Sequence, residues 1–173
     1  MLSDSLFALR RRLAYPRTSI QLSILGLIGG IVAAVLIVLF RLSIDFLSHA
    51  FSEDGPFTDI LDYLVPTLPI YAALLIAIFA DFTGFKHYRL GIPFVLHRIK
   101  AHYGNIPFWN FVNQFVGGVL ALSSGFSVGR EGPAVHLGAG SASYLAERLN
   151  LPDNSRRTLA ACGIAAGISA SFN

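Results

Sequence analysis

Gly129-Arg130-Glu131-Gly132-Pro133 follows a long uncharged apolar run and sets an arginine and a glutamate beside a proline suited to the first turn of a helix. A carboxylate placed there lies at membrane depth, where an ionisable group costs roughly 2.5 to 3.5 kcal/mol on insertion scales. Such a group marks an ion or proton pathway more often than a surface. The stretch also holds the chemistry of an anion site, because glycines let a ligand approach the backbone and the free amides of a helix start carry partial positive charge. Glu131 is then a negative side chain set where an anion would bind.

Outward from that turn, the sequence reads as a membrane chain. Of its 173 residues 54% are hydrophobic and 13% charged, with a mean hydropathy of +0.60, whereas a soluble domain averages about 25% charged residues. Uncharged stretches run from Thr18 to Phe40, from Tyr63 to Ala80 and from Ala101 to Gly129. About 20 residues span a bilayer, so each is a candidate crossing and the fold class is all-α, a polytopic helical bundle. The single cysteine, Cys162, sits in a small-residue run and reads as core; it allows neither an internal disulfide nor a cysteine metal cluster.

Charge orients the crossings. Arg10, Arg11, Arg12 and Arg17 precede the first stretch, and Lys86, Arg89, Arg98 and Lys100 lie between the second and third against a single acid, Asp81; both segments belong on the cytoplasmic side. Glu53, Asp54, Asp59 and Asp62 occupy the loop between the first two stretches, which fits the outside. Arg10 to Arg12 before an apolar run also resembles a signal peptide, but the run is long and no cleavage site follows.

The helical spacing of Phe40, Ile44, Leu47 and Phe51 predicts that the first helix continues past Arg41 and Asp45, which form an i, i+4 pair. Beyond Gly129, Pro133 to Leu149 and Arg157 to Ser171 are helical in composition but short, roughly 25 Å each at 1.5 Å per residue, the length of transporter half-helices. Asn150-Leu151-Pro152-Asp153-Asn154 supplies the break between them. Gly26 with Gly30, Gly117 and Gly118 with Ala121, Gly138 with Ala142, and Gly163 with Gly167 predict close helix packing.

A second glycine-proline turn, Arg89-Leu90-Gly91-Ile92-Pro93, precedes the short apolar segment Phe94 to Ile99. Topology sets it on the face opposite the Glu131 turn, so two helix starts aim at one point, an arrangement that favours an anion. Each turn taken alone also reads as an ordinary corner.

Gly129-Arg130-Glu131-Gly132-Pro133-Ala134-Val135-His136-Leu137-Gly138 resembles the Gly-Arg-Glu-Gly-Pro signature of the CLC chloride channel and chloride/proton antiporter family. Arg89-Leu90-Gly91-Ile92-Pro93 falls where that family has a Gly-Ser-Gly-Ile-Pro turn, and Ala165 to Asn173 resembles its small-residue helix after the signature. The resemblance runs from about Ser19 to the last residue.

The resemblance implies a fold of inverted repeats with re-entrant half-helices, of which this chain is the first part: residues 1–18 a basic cytoplasmic segment, and 19–173 a partial transmembrane domain ending before the second repeat. It implies that Glu131 is the external gating glutamate, which in exchangers also passes protons. Gly129, Arg130, Gly132 and Pro133 shape the outer anion turn, and Leu90, Gly91, Ile92 and Pro93 stand at the inner one. Chloride and protons are the implied ligands, with no cofactor and no enzymatic activity. A lipid bilayer surrounds the protein, the full-length form is a homodimer, and nucleic acid is not a partner. The implied location is a bacterial inner membrane with a cytoplasmic N-terminus, and exchange is favoured over channel conduction.

The sequence departs from the family at the inner turn. Leu90 replaces the serine whose hydroxyl contacts the central chloride, and Arg89 replaces the preceding glycine, which predicts weaker central binding or another anion preference such as fluoride or nitrate. Leu90 has a plainer reading as a packing residue where backbone amides suffice. Gln114 stands where some members carry a basic residue. Arg130 reads equally as a pathway cation, a partner of Glu131 or an outward-facing side chain. His136 lies off the Glu131 face and reads as a packing or hydrogen-bonding histidine, while His49, His97 and His102 lack metal-ligand spacing. The second function class is a truncated, non-transporting fragment or helical interaction module.

Overall fold

A computed structural model describes residues 19–50, 67–84 and 90–172. The basic N-terminal segment, the acidic loop, Lys86, Arg89 and Asn173 lie outside the described residues. The elements are α1 (Ser19–Ala50), α2 (Leu68–Phe82), α3 (Gly91–Ala101), α4 (Phe108–Ser123), α5 (Glu131–Arg148) and α6 (Asp153–Phe172). Every element among the described residues is a helix, as composition predicts.

The first helix continues past Arg41 and Asp45 to Ala50. Leu25, Gly29, Ala33, Ile37, Phe40 and Ile44 form its buried stripe, recurring every three or four residues. The rest of its circumference is equally apolar but exposed: Ile24, Leu27, Ile31, Val35, Leu42 and Phe46. A helix that is apolar all round belongs in lipid. Its 32 residues would extend ~48 Å against a hydrocarbon core of about 30 Å, so it tilts or emerges from the bilayer. Arg41 and Asp45 form no ion pair among the described residues.

One of the three expected crossings is borne out as a single long helix. Among the described residues α1 alone is long and apolar enough to cross a membrane. The stretch expected as a second crossing forms a helix of 15 residues, α2, with residues 63–66 outside the described set. The stretch from Ala101 to Gly129 is not one helix. Ala101 ends α3, Tyr103 and Gly104 take left-handed φ angles of 52° and 79°, and Pro107 is extended before the 16 residues of α4. An uncharged run conceals this break because its polar and turn-forming residues, His102 to Asn105, carry almost no charge.

The helices expected to be half-length are also longer than their sequence limits: 18 residues in α5 and 20 in α6, ~27 and ~30 Å. The helix α5 takes in Glu131, and α6 starts at Asp153 rather than Arg157. The break between them lies where it was expected. Asn150 has φ 49°, its N–H donates to the Glu147 carbonyl at 3.0 Å, and the Leu151 N–H donates to Ala146 at 3.0 Å. This is a Schellman turn with asparagine in the left-handed position, and Leu151 folds back onto Ala142, Ala146, Leu25 and Leu159 as its apolar contact.

The centre of the bundle is α5, which packs against α1, α3, α4 and most extensively α6. Every residue from Ala134 to Ser143 is buried. Small side chains make this possible, as expected from the glycine spacings. A Cβ on Gly138 would overlap the Gly163 carbonyl, and one on Gly167 would lie 2.6 Å from the Ala134 carbonyl oxygen. Gly26 meets the half-buried Cys162. At one end of the bundle Arg157 donates to the carbonyls of Ile99 and Lys100 at 3.1 and 3.3 Å, placing a cation on the C-terminus of α3.

Candidate functional site

The outer turn is built by the chain's return from α4. Gly125 at φ 87° turns the backbone, and the Val128 N–H closes a tight turn onto the Phe126 carbonyl at 2.8 Å. Arg130 caps α5 without a side-chain bond, and its carbonyl accepts from the Ala134 N–H at 3.0 Å. The amides of Glu131 and Gly132 therefore lead the helix as orphan donors, and Pro133 has no amide to give. The Glu131 carboxylate folds back over Gly129, and a Cβ there would collide with its Oε2. Arg130 and Glu131 are both exposed, and no ion pair joins them.

The inner turn is built at the start of α3. Leu90 is extended, with φ −119° and ψ 170°, and Gly91 takes φ 77°, a conformation that an L side chain rarely adopts. The Gly91 N–H donates to His136 Nδ1 on α5 at 3.2 Å. His136 is wholly buried and stacks on Phe94, with centroids 5.3 Å apart and planes 11° apart. Its Nε2 has no hydrogen-bond partner.

Both turns open on one cavity of about 630 Å³. Leu90 and Gly91 line it from the inner turn, and Val128, Gly129 and Pro133 from the outer. Ala73, Ile76, Ala77 and Ala80 of α2 form one wall, facing Gln114, Gly117, Gly118 and Ala121 of α4. Gly118 lets the Phe40 ring and Pro133 close in, a Cβ there lying 3.0 Å from the ring and 3.6 Å from Pro133 Cβ. The cavity has no charged side chain in its lining. Its polar capacity is backbone amide and the carboxamides of Asn113 and Gln114. The lining is otherwise almost wholly apolar, so an anion in it would be held by the few backbone N–H donors at the turns and not by a fixed countercharge.

Of the site residues singled out by sequence, Leu90, Gly91, Gly129 and Pro133 come together on the cavity. Glu131 joins them only through its carboxylate over Gly129. Arg130 and Gly132 are not in the lining, and Ile92 and Pro93 are exposed on α3. Asn113 was missed. Its Nδ2 donates to Thr83 Oγ1 at 2.9 Å and to the Trp109 carbonyl at 2.8 Å, tying α4 to the end of α2. Gln114 was noted without a role, and its Oε1 is buried without a partner. Two adjacent carboxamides in an apolar helix were the available signal, since polar groups at membrane depth face a bundle interior or cavity.

The sequence profile of the voltage gated chloride channel family matches residues 71–173, which include both turns and α4 to α6. The chain belongs to this family. It is a family of channels and transporters, not of enzymes. Voltage gated chloride channel relatives include H(+)/Cl(-) exchange transporter ClcA of Vibrio vulnificus (strain YJ016), 27% identical over 184 residues, covering 96% of this chain and 37% of the relative. ClcA of Yersinia pestis bv. Antiqua (strain Angola) is 28% identical over 167 residues, covering 91% and 34%. ClcA of Klebsiella pneumoniae (strain 342) is 29% identical over 182 residues, covering 96% and 36%. The chain spans about a third of the length of these curated relatives. No solved structure matches it.

Proposed function

We propose that these residues form one wall of the anion pathway of a chloride transporter that exchanges chloride for protons across a bacterial inner membrane, with the N-terminus cytoplasmic. The observation that carries this reading is the meeting of the Leu90–Gly91 and Gly129–Pro133 turns on one uncharged cavity. In this reading backbone amides of the two turns, other than that of Gly91, which His136 accepts, hold chloride, and the Glu131 carboxylate competes for the outer position when ionised. Protonation or chloride displaces it, and the same carboxyl carries the proton. Its place over Gly129, where only a glycine leaves room, supports a side chain that moves between the turn and the open side. The likeness to exchange transporters favours exchange over channel conduction. The inverted-repeat architecture, the re-entrant character of the helices after the two turns and a homodimer belong to the same proposal.

Chloride-driven proton flux in liposomes tests it, using protein made from the complete reading frame that contains these residues and its Glu131→Gln variant. Proton uptake driven by a chloride gradient, abolished in the variant while chloride flux persists, is expected. Chloride flux without protons in the parent protein would replace exchange by conduction. No anion flux from well-folded protein would sink the transport reading and leave a helical module.

A further inference from the structure

The inner turn is held by α5, the helix that carries the outer one. A glycine at φ 77° opening a helix directs its N–H away from the helical ladder, and such a donor in apolar surroundings needs an acceptor. His136 Nδ1 supplies it at 3.2 Å. The ring is fixed on its face by Phe94, three residues further along α3, so both contacts fall on the first turn of that helix. His136 itself is absent from the cavity wall, whereas Gly91 is part of it. The bond therefore draws the Gly91 N–H away from the cavity and sets the orientation of the turn.

We propose that His136 is the positioning residue of the inner turn: its neutral ring takes the Gly91 amide hydrogen at Nδ1 and so fixes the backbone that Leu90 and Gly91 present to the cavity. An acceptor at Nδ1 requires a lone pair there, which leaves the ring proton on Nε2. A residue chosen for packing alone would leave no buried donor unpartnered, as Nε2 is here. Histidine at this position is explained by the acceptor. Glu131 and His136 are five residues apart on α5, about 7.5 Å along its axis, so one rigid helix joins the two turns. Leu90 offers the cavity no side-chain donor, so the inner turn relies on its backbone orientation, which this bond sets. The proposal rests on the reading of the cavity as an anion pathway.

The test uses protein from the complete reading frame, with His136→Leu removing the acceptor and His136→Asn keeping an oxygen near the Nδ1 position. Calorimetry with chloride and nitrate reads affinity and preference, and nitrogen NMR of the imidazole with Gly91 amide exchange reads the bond itself. Expected are an unprotonated Nδ1 and a protected Gly91 amide in the parent protein. His136→Leu should weaken chloride binding about tenfold and level the chloride-to-nitrate ratio, while His136→Asn should return within about threefold of the parent. A protonated Nδ1, an unprotected Gly91 amide, parental binding in the leucine variant, or an asparagine variant as weak as leucine would each overturn the proposal. If His136→Leu fails to fold, exchange at Gly91 in the parent and asparagine proteins decides. If the parent binds no anion, the pathway reading fails, and the NMR still decides whether the bond exists.

Discussion

Leu90 reaches the cavity with a side chain that has no hydrogen bond to offer. A hydroxyl there would add a donor to an anion, and such charged hydrogen bonds contribute about 1.5 to 3 kcal/mol. Leu90→Ser is therefore expected to tighten chloride binding by at least tenfold in calorimetry; an unchanged affinity would show that the backbone alone sets it. One position later, Gly91→Ala has space for its methyl group, since nothing lies within 4 Å of an added Cβ, but its φ of 77° is unfavourable for alanine. We expect a loss of about 1 kcal/mol in stability or turn geometry, seen as a lower thermal midpoint or weaker anion binding. At this scale the sequence was informative where glycine and proline punctuate it. Both turns were legible, as was the glutamate at the helix start. The bond from Gly91 to His136 was not, because it joins residues 45 positions apart and no local pattern encodes such a pair. Asn113 was passed over because an uncharged carboxamide does not interrupt a count of charges.

Among the elements, the α5–α6 contact is the tightest, with backbone against backbone at Gly138 and Gly163. A branched side chain at either glycine forces the helices apart. Gly163→Val is expected to destabilise the protein by about 3 kcal/mol, the upper part of the range for overpacking, and to broaden its elution in detergent. Gly132→Ala, where nothing lies within 4 Å, should leave folding close to the parent's. The Schellman turn gives a subtler check. Asn150→Gly relieves a left-handed residue and should hold or slightly raise the thermal midpoint, whereas Asn150→Val should lower stability by about 1 to 2 kcal/mol. The glycine pairs and the break at Asn150 could be read from sequence because their spacing is local. Helix ends could not. The run from Ala101 to Gly129 has the hydropathy of one crossing, yet Tyr103, Gly104 and Pro107 divide it, and α6 extends back over Asp153 to Arg156 although those residues are polar.

Across the whole molecule, the apolar residues sort into two environments. Leu25, Ala33, Ile37 and Phe40 face protein, while Ile24, Leu27, Ile31 and Val35 on the same helix face outward, as do Ile70, Leu74, Leu75 and Ile78 on α2. Composition announced a membrane chain, and the described residues bear out an all-helical bundle with one helix plainly long enough to cross. Composition did not reveal the order of layers. That order depends on which small residues meet, and it places α5, rich in glycine, alanine and serine, at the centre.

The burial of the middle of α5 on every side has a consequence for biosynthesis. Its middle, Ala134 to Ser143, is mostly Ala, Gly and Ser with one valine, one leucine and one histidine, a composition with little hydrophobicity of its own to carry it from a translocon into lipid. It is solvated by neighbouring helices instead of acyl chains. Such a helix is received by protein and not by lipid, so α5 is expected to settle only against α1, α3 and α4, which precede it in the chain and pack on it.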